Sequence, residues 1–521
     1  MMQTLSMDRL SGAFQGMWEA WKHDRMEAVA MIVAGEFADE FAGAEFGDSR
    51  LSRRLQRIAQ CMEERPTASI PAATDGRAEM EAAYRFFDNP SVTPGKILAP
   101  HRHATLERVR QCDVVILAQD TTELDLTRPT QQVVGTGPLT HDSRRGSYYH
   151  PLVAFSDEGL ALGTVWHKHW VREKIHSGRS AADKNREIKK TPIEEKESIR
   201  WVEGVRAARD VAQQCPSTQC IAVSDSESDI YELLVEPRIT DSGNTLQLIV
   251  RASSDRSLSE SDEKLLATVR ATNCLYTCLV DVSQRKQKTN VKKTSPRTMS
   301  RDARVATVEV RATTVTLSPP PRHDRKLAPV TINVVLVDET NPPDGQPPIQ
   351  WILLTTLPID SSDAVQKIVS YYCIRWQIEI YFKTLKSGCR VEERYFERMG
   401  RLENCLAVYL VVAWKILYLC RLGRDCPDLD CELVFTPSEW KAVYMIVKHQ
   451  APPATPPTLN EMIRMIASLG GYVIRKKTNP GTQTLWLGLQ RVHDLSRAWT
   501  SFGPGSYPPN KKFSDMNCVV R

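Results

Sequence analysis

Two short apolar runs that each stop at a carboxylate constrain this 521-residue chain most. In DVVILAQD the run closes on Asp120, and in TQCIAVSDSESD it closes on Asp225, with the helical pattern IYELL following. An uninterrupted apolar run of this length reads as a strand covered on both faces, which belongs in the middle of a sheet flanked by helices. Between them, YYHPLVAFS and LALGTVWHKHWV read as a hairpin turning at Asp157-Glu158-Gly159. The chain is therefore expected to be α/β at its centre.

Strand patterns continue from about 240 to 348 as LQLIVRAS, CLYTCLVDV, VATVEVRATTVTL and VTINVVLVD, and QWILLTTLP follows. The stretch from Gln284 to Arg304 carries eight Lys or Arg against Asp302 alone. Such a run is either a solvated loop or a source of nonspecific, salt-sensitive affinity for phosphates. Residues from about 36 to 110 look helical and basic. Arg50, Arg53, Arg54 and Arg57 recur at three- and four-residue steps opposite Leu51, Leu55 and Ile58, and AEMEAAYRFFDNP, with Tyr84 and Arg85, is a second amphipathic pattern stopped by Asn89-Pro90. Beyond about 425, APPATPP precedes two further helical patterns, LNEMIRMIASLGGYVI and TLWLGLQRVHDLSRAW.

Composition narrows the class. With 41% hydrophobic and 25% charged residues the chain is that of a soluble globular protein, and a net charge of only +5 means an anionic partner must be met by local patches. Thirteen cysteines lack CxxC spacing, so reduced thiols in a cytoplasmic protein are expected, without a structural zinc. The apolar run Cys405 to Cys420 contains Lys415 and is shorter than a membrane span, so it is expected to be a buried helix, and no membrane association is expected.

The segment Tyr372 to Lys386, YCIRWQIEIYFKTLK, places Tyr372, Arg375, Glu379, Lys383 and Lys386 on one helical stripe and Ile374, Ile378, Tyr381 and Leu385 on the other. One carboxylate among three cations suits contact with an anion, although a solvated face with an i,i+4 Glu379–Lys383 pair reads equally well. Carboxylates from two strand ends and a neighbouring helix can converge on divalent cations, and oxygen-only ligation favours Mg²⁺ or Mn²⁺ over zinc. Each Asp also reads as a helix cap or turn former, and both readings stand at this level.

The spacing Tyr372-x2-Arg375-x3-Glu379-x6-Lys386 resembles the YREK signature of bacterial insertion-sequence transposases of the IS-four family, the group that includes the Tn-five transposase. QDTTELDL around Asp120, SDSESDI around Asp225, IQWILLTTLP, EFGDSRLSRRL, EAAYRFFDNP and PGTQTLWLGLQR extend the resemblance from about residue 36 to about 500. It implies an RNase H-like mixed-sheet core at 111–424 with a β-strand insertion at about 240–348. A helical module at 36–110 would bind transposon ends and a helical domain at 425–521 would pair protomers, leaving 1–35 as an extension without a counterpart.

By the same resemblance, Asp120, Asp225 and Glu379 form a DDE triad holding two Mg²⁺ (or Mn²⁺) ions. Tyr372, Arg375 and Lys386 grip phosphates, Trp351 stacks an extruded base, and Arg251 lines the DNA; Lys383, on the same cationic stripe, is expected to contact DNA as well. Arg50, Arg53, Arg54, Arg57, Tyr84 and Arg85 lie on the end-binding helices. The implied activity is cut-and-paste transposition of double-stranded DNA through a terminal hairpin by a homodimer in the bacterial cytoplasm. A catalytically silent regulator that occupies ends, or a structure-specific nuclease on the same core, would belong to a different class.

Overall fold

The computed structural model describes residues 37–504 apart from 131, 141–142, 174–190, 260, 283, 285–299, 322–325 and 476–477. The extension expected at 1–35 and most of the basic stretch at 284–304 lie outside the described residues.

Helices α1 (Ser49–Glu64), α2 (Arg77–Phe87) and α3 (Pro94–Arg110) open the described chain. Asp48 caps α1 by accepting the Arg50 N–H at 2.9 Å, and the helix buries Leu55, Ile58, Ala59 and Met62 while its arginines face outward. Gly76 enters α2 at φ +114°, a conformation closed to residues with a Cβ.

Strands β1 (Val114–Gln119), β2 (Thr122–Asp125), β3 (Gly137–Pro138), β4 (Arg145–Ser156) and β5 (Ala161–Trp170) follow, with α4 (Ile199–Gln214) leading into β6 (Gln219–Ser224) and β7 (Gln247–Arg251). The hairpin expected at Asp157–Gly159 joins β4 and β5, with Gly159 at φ +88°. β1 runs parallel to β6 and antiparallel to β4, so its apolar residues are covered on both faces.

The later strands are β8 (Tyr276–Val282), β9 (Arg304–Leu317), β10 (Val330–Glu339) and β11 (Gln350–Thr355). All belong to one eleven-stranded mixed sheet with the path β2-β4-β1-β6-β7-β11-β10-β9-β8, while β3 and β5 pair with β4. The stretch expected as an insertion therefore divides. β7 joins the centre beside β6, and β8, β9 and β10 reach the sheet only through β11, which follows them in sequence.

Helices α5 (Ser362–Ile374), α6 (Gln377–Lys383) and α7 (Met399–Asp425) come next, and α8 (Pro437–Lys448), α9 (Leu459–Leu469) and α10 (Thr482–Phe502) end the described chain. By length and composition α7 could cross a membrane, but 89% of its most apolar window is buried inside the protein. It is the common core helix: Asn404 donates to the carbonyls of Phe87 and Val92, Trp414 to that of Ala161, and Gly423 packs under Ile463 of α9.

Candidate active site

The parallel register of β1 and β6 pairs Ala118 with Val223, so Asp120 and Asp225, each two residues further on, leave neighbouring strands at the same level. Neighbouring strands lie about 4.8 Å apart, which brings both carboxylates to one edge of the sheet. Asp120 accepts the Thr121 N–H at 2.7 Å, and Asp225 caps the turn Ser226–Ser228 by accepting the Glu227 N–H at 2.8 Å. The capping geometry weighed from sequence is thus present at Asp225, and it leaves the second carboxylate oxygen outside that bond.

Glu379 arrives from the helical side. The Arg375 guanidinium joins it to Asp120, donating from Nη1 to Asp120 Oδ2 at 3.0 Å and from Nη2 to Glu379 Oε1 at 3.2 Å. Burial pushes the Asp120 carboxyl up to about 7, since Asp225 and Glu379 add repulsion and Arg375 only partly offsets it. Burial also raises Glu379, with Arg375 opposing and Asp225 adding to the shift. Asp120 and Glu379 each feel the charge of Asp225, and the cost of charging those two is the electrostatic signature of a site that wants a cation.

The single helix expected over Tyr372–Lys386 is not what forms. α5 ends at Ile374, and Arg375 and Trp376 make a tight turn in which the N–H groups of Arg375 and Trp376 bond to carbonyls three residues back. After α6 the chain widens into a π turn, Thr384–Gly388, which carries Lys386 off the extrapolated stripe and to 3.6 Å from Glu392. Lys383 is exposed, while Tyr372 is buried against Trp351, ring centroids 5.7 Å apart. Burial raises the Tyr372 phenol, with Arg375 and Arg251 pulling it back. Arg251 donates to the Gln350 carbonyl at 3.4 Å. Trp351, Tyr372, Arg375, Arg251 and the three acids thus form one neighbourhood.

The residues of the first helices sit elsewhere, on their own module. Arg50 pairs with Asp48, Arg54 with Glu79 and Arg57 with Asp75, Arg85 lies 3.7 Å from Glu81, and Arg53 is exposed. Tyr84 is half-buried edge-on against Phe396, a packing role its amphipathic helix did not reveal. Sequence reasoning also missed the polar cluster behind Asp120, made of Thr121, His150, Arg200 and Glu227. The one available signal was Arg200 in the first turn of α4.

The donor set, carboxylate oxygens around a desolvated Asp120, fits a hard divalent cation. Among the described residues no three His, Cys, Asp or Glu side chains stand close enough to hold one ion, and Arg375 bonds to both Asp120 and Glu379. The described cysteines form no disulfides with one another.

The chain matches the transposase DNA-binding family at residues 35–92, the transposase DDE domain family at 219–413 and the transposase Tn5 dimerisation domain family at 411–499. Asp225 and Glu379 fall inside the DDE match, and Asp120 lies upstream of it. Among solved structures it is similar to the piggyBac transposase synaptic complex with hairpin DNA, at a TM-score of 0.29 and 9% identity over 91% of this chain and 84% of that one, a likeness too remote to carry argument.

Fold, site and matches define a DDE transposase, an enzyme class that depends on divalent cations. With the three families in chain order, the protein belongs to the Tn5-like DDE transposases, with DNA and a second copy of itself as partners.

Proposed function

We propose that the protein is a cut-and-paste transposase in which Asp120, Asp225 and Glu379 hold two Mg²⁺ ions, with Mn²⁺ able to substitute. The observation that carries this reading is the convergence of β1, β6 and the Arg375–Glu379 turn on one acidic edge. Held by Asp120, Asp225 and Glu379, such ions would supply activation of a water or 3′-hydroxyl and charge stabilisation at the leaving oxygen of an in-line displacement at phosphorus.

The chain's own groups orient the DNA. Arg375, Lys383 and Lys386 hold phosphates beside the scissile bond; Tyr372, expected to grip a phosphate with them, is buried against Trp351 and instead shapes the wall they stand on, and Arg251 extends it along β7. Trp351 takes an extruded base by exchanging its contact with Tyr372 for a stacked one. Arg50, Arg53, Arg54, Arg57, Tyr84 and Arg85 belong to the end-binding module at 36–110, which precedes the catalytic domain at 111–424 and a pairing domain at 425–521. End cleavage, hairpin formation by the freed 3′-hydroxyl, hairpin opening and joining to target DNA share this single site, in a bacterial cytoplasm.

Amide variants test the assignment. Asp120→Asn, Asp225→Asn and Glu379→Gln keep side-chain shape and relieve the burial of charge, so they fold, yet they remove the metal's counter-charge. Each should abolish cleavage, hairpin formation and strand transfer on pre-nicked end duplexes in Mg²⁺, with gel-shift affinity for the end kept. Cleavage by Asp120→Asn in Mg²⁺ would overturn the triad.

A further inference from the structure

We propose that Arg200 is a positioning residue, a strut that sets the separation of the two strand-end carboxylates; this rests on the metal-ligand reading of Asp120 and Asp225. Arg200 Nε donates to Thr121 Oγ1 at 2.8 Å and its Nη2 to Glu227 Oε2 at 3.1 Å, while the backbone of Thr121 bonds to Asp120 at 2.7 Å and that of Glu227 to Asp225 at 2.8 Å. One guanidinium thus closes a continuous path from the first Asp to the second. A planar fork with fixed donor spacing can hold two acceptors at a defined distance, which a flexible ammonium cannot.

The strut is itself held. Arg200 donates from Nη1 to the Glu197 carbonyl at 2.9 Å and lies over the rings of Trp170 and Trp201 at 5.5 and 5.3 Å. Thr121 Oγ1, having accepted from Arg200, donates to Nδ1 of His150 at 2.8 Å, and His150 Nε2 then donates to Gln119 Oε1 at 3.1 Å. His150 is fully buried edge-on against Trp201, 4.6 Å between centroids, so it stays neutral and keeps that tautomer. Gly204, one turn beyond Arg200, leaves the room that Gln119 fills, because a Cβ there would stand 2.0 Å from Gln119 Oε1. The arrangement anchors the start of α4 to the end of β1 and ties the loop after β6 to both.

Arg200 is 12% exposed and Glu227 63% exposed, so the two ends of the strut can be tested separately. The experiment titrates Mn²⁺ into the full chain bound to a pre-cleaved end duplex, reading free Mn²⁺ by electron paramagnetic resonance beside the gel-shift affinity for the duplex. Arg200→Ala should weaken Mn²⁺ binding by on the order of tenfold, the range of lost outer-shell partners of metal ligands, with DNA affinity kept. Glu227→Gln, at an exposed position that leaves the core intact, should lose several-fold, and the double variant should be no weaker than Arg200→Ala alone, because both remove one strut.

Mn²⁺ affinities within about twofold of the parent in both single variants, or independent losses that add in the double, would overturn the strut. Loss of duplex affinity with Mn²⁺ binding intact would do so as well, by making Arg200 a phosphate contact. Asp120→Asn separates the two readings: if it abolishes Mn²⁺ binding while Arg200→Ala does not, only the strut fails. If it leaves Mn²⁺ binding unchanged, the ligand assignment fails.

Discussion

Glu40 shows how one buried side chain ties the first module to the core. It lies 2.6 Å from His101 Nδ1 and receives Arg108 Nη1 at 2.6 Å, while the Thr164 N–H donates to His101 Nε2, which makes the imidazole neutral with its proton on Nδ1. Burial alone would push the Glu40 carboxyl up, but His101 and Arg108 outweigh it and hold it down to about 2, against an ordinary 4.5. A depressed acid stabilises the fold above its unfolded value and loses that contribution as pH falls from about 4.5 to about 2. Glu40→Gln should flatten that acid limb in urea unfolding followed against pH. Trp351 belongs to the same scale: its ring is buried in β11, so Trp351→Ala should cost about 3 to 5 kcal/mol in chemical denaturation, while Trp351→Phe keeps most of the packing. Equal stability of Trp351→Ala and parent would mean that the ring is not core.

At the scale of elements, the joint between α5 and α6 decides the site. A continuous helix would have displayed Arg375, Glu379 and Lys386 along one stripe; Arg375 and Glu379 still meet as an i,i+4 pair, but the π turn at Thr384–Gly388 sets Lys386 beside Glu392 instead. The π turn is pressed close by α10, where a Cβ on Gly388 would meet the Trp486 ring at 3.1 Å. Just beyond, buried Arg394 donates to the carbonyls of Pro66, Ala68 and Cys389 and lies 4.5 Å from the Tyr409 ring centroid, stitching the loop after α1 to this segment. Arg394→Met would strand those carbonyls without donors at a cost of about 3 kcal/mol or more. Limited proteinase K digestion should then cut between Thr67 and Ser69 faster than in the parent. An unchanged digestion rate would show that the stitch does not hold the loop.

At the scale of the whole molecule, α7 receives the first helices, the sheet and the tail helices together. Its Lys415 is tied to Glu63 of α1 at 3.0 Å, partly shielded from water. Glu63→Gln should cost roughly 2 kcal/mol by leaving that ammonium unpaired, and adding Lys415→Met should recover most of it; differential calorimetry of the two variants checks this. If Glu63→Gln melted with the parent, the pair would be solvent-screened and without weight.

Periodicity was enough for β1, β6, the β4–β5 hairpin and α1, because an apolar run, a turn glycine and a cap act through neighbours in the chain. The same local signals marked Asp120, Asp225 and Glu379 as residues to watch. They could not show that β11 would pass between β7 and β10, that Lys386 would leave its stripe, or that Tyr84 would pack on Phe396, since each depends on partners far along the chain. The amino-acid order by itself determined the strand ends and the acids they carry. Only the tertiary structure decided that those acids share one edge, that Arg375 stands between Asp120 and Glu379 and that Arg200 links the residues bonded to Asp120 and Asp225, because hydrogen bonds and desolvation depend on distance in space.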